Sequence, residues 1–183
     1  MFFKAITIKD KIGNDIVFRS AEESDAESLI KFLKITTAET PFLIREPNEV
    51  TLAMEQERAF IREKKEQERE LLLIAEMNGR HLGNCSIASI GGFARYRHRC
   101  EVAIALYQEY CSLGIGRAML ETTLDVAKKV GYEQAELEVI AENQPAIALY
   151  KKLGFEIFGT FPHNMRYSDG TYADAYWMMK KLV

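Results

Sequence analysis

The spacing of apolar residues changes period several times along this chain, and each change marks an element. Phe3, Ala5 and Thr7 alternate with their neighbours and the run closes at Gly13-Asn14, which predicts a strand or hairpin arm ahead of a strand over 16–19. Ala26, Leu29, Ile30 and Leu33 then trace one face of a helix, with Ser24 and Glu27 spaced as a capping box. A second helix is expected over 48–68, with Val50, Ala53, Met54, Phe60 and Ile61 inward. Its charged residues face out, Glu55 with Arg58 and Arg62 with Glu66 at helix-neighbour spacing. Between the helices, 36–47 carries Pro41 and Pro47 and reads as a loop.

The period then drops to two. Runs over 71–77 and 80–90 flank Asn78-Gly79, the pair that best fits a type I′ hairpin turn, and Gly91-Gly92 loosens the chain before 93–99. A strand over 101–106 runs through a turn into a helix whose inner face is Met119, Leu120, Leu124 and Ala127, ended by Gly131. A strand over 134–140 follows, then a helix with Asn143 as N-cap, Pro145 in its first turn and Gly154 at its end. Strands over 155–161 and 171–182 close the chain around a loop at 162–170. Runs of consecutive strands exclude a doubly wound open sheet. They predict an α+β fold, a mixed, mostly antiparallel sheet flanked by helices in three α/β/α layers.

Composition adds limits. The 183 residues suit a single domain over 1–183, 48% apolar and 28% charged, as in ordinary globular chains. The net charge of −3 tilts against nucleic acid or an anionic membrane as partner and suits a cationic amine. Cys85, Cys100 and Cys111 form no C-x-x-C pair, and no leader or long apolar span is visible, so the cytoplasm is expected. His81, His98 and His163 are scattered and give no metal-ligand spacing, so no metal is expected. The basic run Arg95-Tyr96-Arg97-His98-Arg99 reads as a solvated turn, with a narrower role in holding an acceptor carboxylate.

The chemistry concentrates in 101–117, EVAIALYQEYCSLGIGR, where a strand enters a glycine loop that opens a helix. The first amides of a helix lack intrahelical partners and sit at the positive end of its dipole, so such a loop holds an anion without basic side chains. A P-loop requires Lys-Ser or Lys-Thr after the last glycine, but Arg117-Ala118 stands there. A dinucleotide fingerprint requires a small third residue, and that place is Met119.

A second stretch, NQPAIALYKKLGF at 143–155, accompanies the loop. Together they resemble the GNAT superfamily of acetyl-CoA-dependent N-acetyltransferases: a loop of Gln or Arg, two residues, Gly, any residue, then Gly or Ala, followed by the pattern matched at Asn143, Ala146, Tyr150, Gly154 and Phe155. The resemblance extends over most of the chain, and it departs at Cys111, which fills the Gln/Arg place. It implies coenzyme A pyrophosphate on the backbone of Cys111, Ser112, Leu113, Gly114, Ile115, Gly116 and Arg117. The pantetheine arm would pair as a pseudo-strand near Ile104 and Leu106, with Asn143 and Tyr150 also at the cofactor. Tyr150 is the implied general acid to the coenzyme sulfur. Glu101, the carboxylate inside the strand, is the candidate base if desolvated, with Glu39, Glu109 and His98 as substitutes. The expected activity is acetyl transfer from acetyl-CoA to a primary amine, on a small molecule or peptide, by direct attack. A non-catalytic coenzyme A-binding module is the alternative, and a homodimer is compatible with either.

Overall fold

A computed structural model describes residues 1–183. Eight strands form one sheet in the order β1-β2-β3-β4-β5-β6-β8-β7. They are β1 (Ile6–Lys9), β2 (Asp15–Ser20), β3 (Leu71–Met77), β4 (Arg80–Ser89), β5 (Arg99–Leu106), β6 (Gln134–Ile140), β7 (Glu156–Arg166) and β8 (Tyr172–Lys181). Four helices cover it: α1 (Ala26–Glu39), α2 (Met54–Glu66), α3 (Ile115–Lys129) and α4 (Gln144–Lys152). All pairings are antiparallel except β5 with β6. The predicted α+β class is the one observed.

β3 shows why the sheet is central. Its continuous apolar run divides by the strand's period of two: Leu71, Leu73 and Ala75 join the large core that α3 and α4 complete, while Leu72 and Ile74 join a second core with Leu29 of α1 and Ile61 of α2. Each of these leucine and isoleucine side chains, removed from water, contributes roughly 1.5–3 kcal/mol before entropy is counted. The β3–β4 turn is the expected one, with Asn78 at φ 51° and Gly79 at φ 77°.

Local details depart from expectation. The reciprocal cap before α1 is built by Glu22 and Asp25 around a short 3-10 turn, because Asp25 accepts from the Glu22 amide at 2.8 Å. Asp25 also takes both ends of the Arg19 guanidinium, at 2.7 and 2.8 Å, which fixes α1 to β2. α2 starts at Met54 rather than 48, with Pro47–Glu49 a separate 3-10 turn, and both Met54 and Phe60 are exposed while Ile61 is buried. Arg62 pairs with Glu23 instead of Glu66. β7 runs on through Pro162 to Arg166, where a loop was expected; an irregularity between Phe161 and Met165 absorbs the proline without ending the pairing with β8. No helix is long and apolar enough to cross a membrane.

Candidate active site

The sheet splits where the motif lies. β5 is bonded to β4 from Cys100 to Leu106, but to β6 only through Arg99, Cys100 and Glu101, opposite Gln134, Ala135 and Glu136. β6 continues with β8 as far as Ile140 opposite Ala175. Beyond Glu101 the parallel pair therefore separates, and the β6-facing edge of 102–106 opens on a gap instead of a partner strand. Ile104 and Leu106 are half-buried on this open segment.

At the end of β5 the chain turns through a 3-10 turn, Gln108–Tyr110, into the loop before α3. Ser112 has φ 66° and Gly114, the residue before the helix, φ 89°. From Ser112 through Arg117 no backbone amide donates a hydrogen bond within the protein, whereas Cys111 before them and Ala118 after them both do. Six consecutive free donors at the start of a 15-residue helix are an anion cradle. The role of Gly116 is partly packing: a Cβ there meets Leu106 Cδ1 at 3.2 Å and Ile104 Cδ1 at 3.7 Å, so the small residue seats α3 against the open strand.

The same position lies 3.9 Å from Leu149 Cδ2, which brings α4 to the loop. Asn143 Oδ1 accepts from the Ala146 amide at 3.3 Å, an N-cap as expected. Tyr150 is 8% exposed and its ring packs against Phe155, centroids 5.9 Å apart. Its hydroxyl makes no hydrogen bond, yet it is not among the atoms sealed from solvent. Burial, and next the Cys85 thiol, raise the phenol well above its ordinary pKa. Cys85 is the strand partner of Ile104, so Tyr150 stands over the separated segment of β5.

Glu101 is exposed at the last paired position of β5, opposite Glu136 of β6 and on the face away from Cys100 and Val102. Among the substitutes, Glu39 accepts from the Gln108 amide at 2.9 Å and Glu109 pairs with Arg80 at 2.6 Å. His98 holds residues 133 and 134 through its carbonyl. The carboxylate beside the gap is one the sequence reading passed over. Glu138 lies two residues beyond the last β5–β6 pair and accepts from Trp177 Nε1 at 2.9 Å and Asn164 Nδ2 at 2.7 Å. The signal was present in QAELEVI, whose alternation sets Glu136 and Glu138 opposite the buried Ala135, Leu137 and Val139.

Around Glu138, Trp177 packs with Phe158 and Phe161 at 6.2 and 5.7 Å, and Phe42 of the α1–α2 connection packs on Ile140, Ala173 and Ala175. This acidic, aromatic face lies on the other side of the sheet from Tyr150. Arg99 of the basic run is committed to Glu136 through both Nε and Nη2. An open cleft of about 710 Å3, lined by Arg69, Phe93, Tyr96, Arg97 and Tyr132 among others, lies at the start of β5. The glycine loop before α3 is at the opposite end of that strand, about 23 Å away along extended chain.

A split sheet with an amide-lined loop at one end of the gap and a buried phenol over it gives this α+β fold an anion site beside an unpaired strand edge. The chain belongs to the GNAT family: the acetyltransferase (GNAT) family pattern matches residues 33–155. It is 30% identical to an N-alpha-acetyltransferase of Sulfurisphaera tokodaii over 181 residues, covering 94% of this chain and 96% of the relative. In structure it is similar to a GNAT-family acetyltransferase from Streptococcus pneumoniae, with TM-score 0.86 and 28% identity, covering 91% of this chain and 99% of the other. A putative acetyltransferase from Salmonella typhimurium, solved with acetyl-CoA, shares the fold with TM-score 0.82 and 20% identity, covering 92% and 94%.

Proposed function

We propose that this enzyme moves the acetyl group of acetyl-CoA to a primary amine by direct attack within a ternary complex. The observation that carries the reading is the run of six free amides, residues 112–117, beside the unpaired edge of β5. A pyrophosphate takes the amides, and an extended pantetheine arm satisfies main-chain groups near Ile104 and Leu106 that the sheet leaves open. The thioester supplies an activated acyl group. An amide on the same edge donates to the carbonyl oxygen as it becomes anionic. Tyr150 gives its proton to the departing thiolate and recovers one from the nitrogen as the amide forms; burial, which raises its pKa, keeps the phenol protonated at neutral pH.

The acceptor approaches on the Glu138 face. A carboxylate held by Trp177 and Asn164, with aromatic rings around it, suits an ammonium group and takes its proton directly or through one water before attack. An α-amine of an amino acid or peptide is the favoured acceptor, consistent with the N-alpha-acetyltransferase name of the Sulfurisphaera relative. The test is release of free coenzyme, read with a thiol reagent, across a panel of amines for the wild type, Glu138→Gln and Glu101→Gln. Amine-dependent release that falls about a hundredfold in Glu138→Gln and little in Glu101→Gln supports the assignment. The reverse order returns the base to Glu101. Coenzyme binding without amine-dependent release marks a non-catalytic module.

A further inference from the structure

The N-terminal hairpin, whose function the sequence pattern left open, reaches the phosphate loop. Its turn is rigidly made: the buried Asp10 accepts from the amides of Ile12 and Asn14 at 3.0 and 2.8 Å and from Asn14 Nδ2 at 3.0 Å. At the tip, the Lys11 amide donates to the Leu113 carbonyl at 2.9 Å. Lys11 Nζ donates to the Ser112 carbonyl at 2.8 Å. The stem of Lys11 lies over Gly114, where a Cβ would meet Lys11 Cγ at 3.3 Å. Three consecutive loop residues are thus each touched by one lysine.

The charge at this place is unmatched. Lys11 forms no pair with a carboxylate, although Lys9, two residues earlier, pairs with Asp15 at 2.7 Å. The loop's own cation, Arg117, is drawn to Glu121 at 2.9 Å, and the residue before the free amides, Cys111, brings no charge. An unpaired ammonium placed beside six free amide donors adds to their field, and it also covers the Ser112 carbonyl, whose negative end would otherwise repel an anion.

We propose that Lys11 is a coenzyme-binding residue, supplying the phosphate loop from a separate hairpin with the cation that the loop lacks. The inference rests on the reading that the loop holds the pyrophosphate. Its consequence is that the first hairpin belongs to the cosubstrate site and is not merely an added edge of the sheet.

The test is equilibrium binding of coenzyme A, dephospho-coenzyme A and pantetheine to the wild type, Lys11→Met and Lys11→Arg. Methionine keeps the stem over Gly114 and the backbone bond to Leu113, so a melting curve is expected to match the wild type. The expected result is a Kd for coenzyme A and its dephospho form raised about tenfold, close to 1.4 kcal/mol, in Lys11→Met. Pantetheine affinity stays the same, Lys11→Arg recovers most of the loss, and the salt dependence of binding becomes shallower in the methionine variant. In turnover the loss falls on KM for acetyl-CoA. An unchanged Kd in Lys11→Met overturns the proposal while leaving the loop reading intact. So does a loss confined to coenzyme A and absent for the dephospho form, because that places the charge at the 3′-phosphate. A wild type that binds coenzyme A no better than pantetheine overturns the loop reading itself.

Discussion

Tyr150→Phe separates stability from turnover in one atom. The change removes the hydroxyl and leaves the ring, which is buried and packed on Phe155. In a structural tyrosine the lost hydroxyl normally takes a hydrogen bond with it, at about 0.5–1.5 kcal/mol. Here there is none to lose. Removing an unpartnered polar atom from a mostly apolar site instead relieves part of a desolvation cost of about 1–3 kcal/mol, and only part, because the hydroxyl still reaches solvent-accessible space. The variant is therefore expected to be as stable as the wild type or up to about 1 kcal/mol more so. For a domain of this size that is a melting point unchanged or higher by about 2–4 °C. Turnover moves the other way. Loss of a positioned general acid costs about 10²–10⁴ in rate, and the lower figure is near 2.7 kcal/mol of transition-state stabilisation. Single-turnover kinetics with saturating acetyl-CoA, which isolate chemistry from product release, should show kcat reduced by at least a hundredfold, with acetyl-CoA affinity within about twofold of the wild type. Because burial raises the Tyr150 pKa, the wild-type rate should not fall through loss of this proton at the pH where an ordinary phenol ionises. A variant with unchanged single-turnover rate returns Tyr150 to packing, and a destabilised one shows that the hydroxyl has a partner.

Other sites give sharper tests of packing and charge. Gly116→Val forces a branched side chain against Leu106 and Ile104, and should cost about 1–3 kcal/mol of stability together with coenzyme A affinity, measured by denaturant melts and calorimetry. His81 is buried, and desolvation lowers its pKa, so the folded chain keeps it neutral where the unfolded chain takes up a proton. This contribution is absent above the unfolded pKa of about 6.5 and erodes stability as pH falls through that value toward the lower folded pKa. His81→Phe should flatten that part of the stability curve, and an unaltered pH dependence would show the imidazole to be solvated.

The loop and helix that carry the proposed cofactor site were legible because their physics is local. A loop that must present bare amides at a helix start needs glycine there, and Gly114 and Gly116 state that in sequence. Asn143 and Gly154 mark the two ends of α4 in the same way, and Gly154 has φ 85°. The proposed acceptor side was not legible because it is assembled from distant pieces. Glu138 acquires its meaning only when β5 leaves β6, an event set by the pairing of β6 with β8 and of β5 with β4. Asn164 reaches it because β7, an edge strand, continues past Pro162 through a local irregularity. The inward face of α2 was misjudged: Phe60 is apolar at helical spacing, but Ile61 is the residue of this helix that packs with Leu72 and Ile74, and Phe60 is exposed. Lys11 carries no motif at all, and only the docking of the hairpin brings it to Ser112.

The thiols bear on the choice between the proposed direct transfer and a covalent route. A ping-pong mechanism needs a thiolate to attack the thioester, and the helix start beside Cys111 is a setting that can lower a thiol pKa. In the fold the balance goes the other way. Cys111 Sγ lies 3.7 Å from the Tyr107 carbonyl, and partial burial, reinforced by the charge of Glu39, raises its pKa instead of depressing it. The two other thiols are further from reactivity. Burial pushes Cys85 and Cys100 each up to about 12, and both side chains are in the core. A neutral thiol is a weak nucleophile at neutral pH, which favours the proposed direct attack of the amine over a route through an acetylated cysteine. Cys111→Ser should accordingly keep its activity within about threefold of the wild type, a change of under 1 kcal/mol, and intact mass after exposure to acetyl-CoA alone should show no acetyl added to cysteine. An adduct on Cys111 that passes its acetyl group to added amine would replace direct attack with a two-step route.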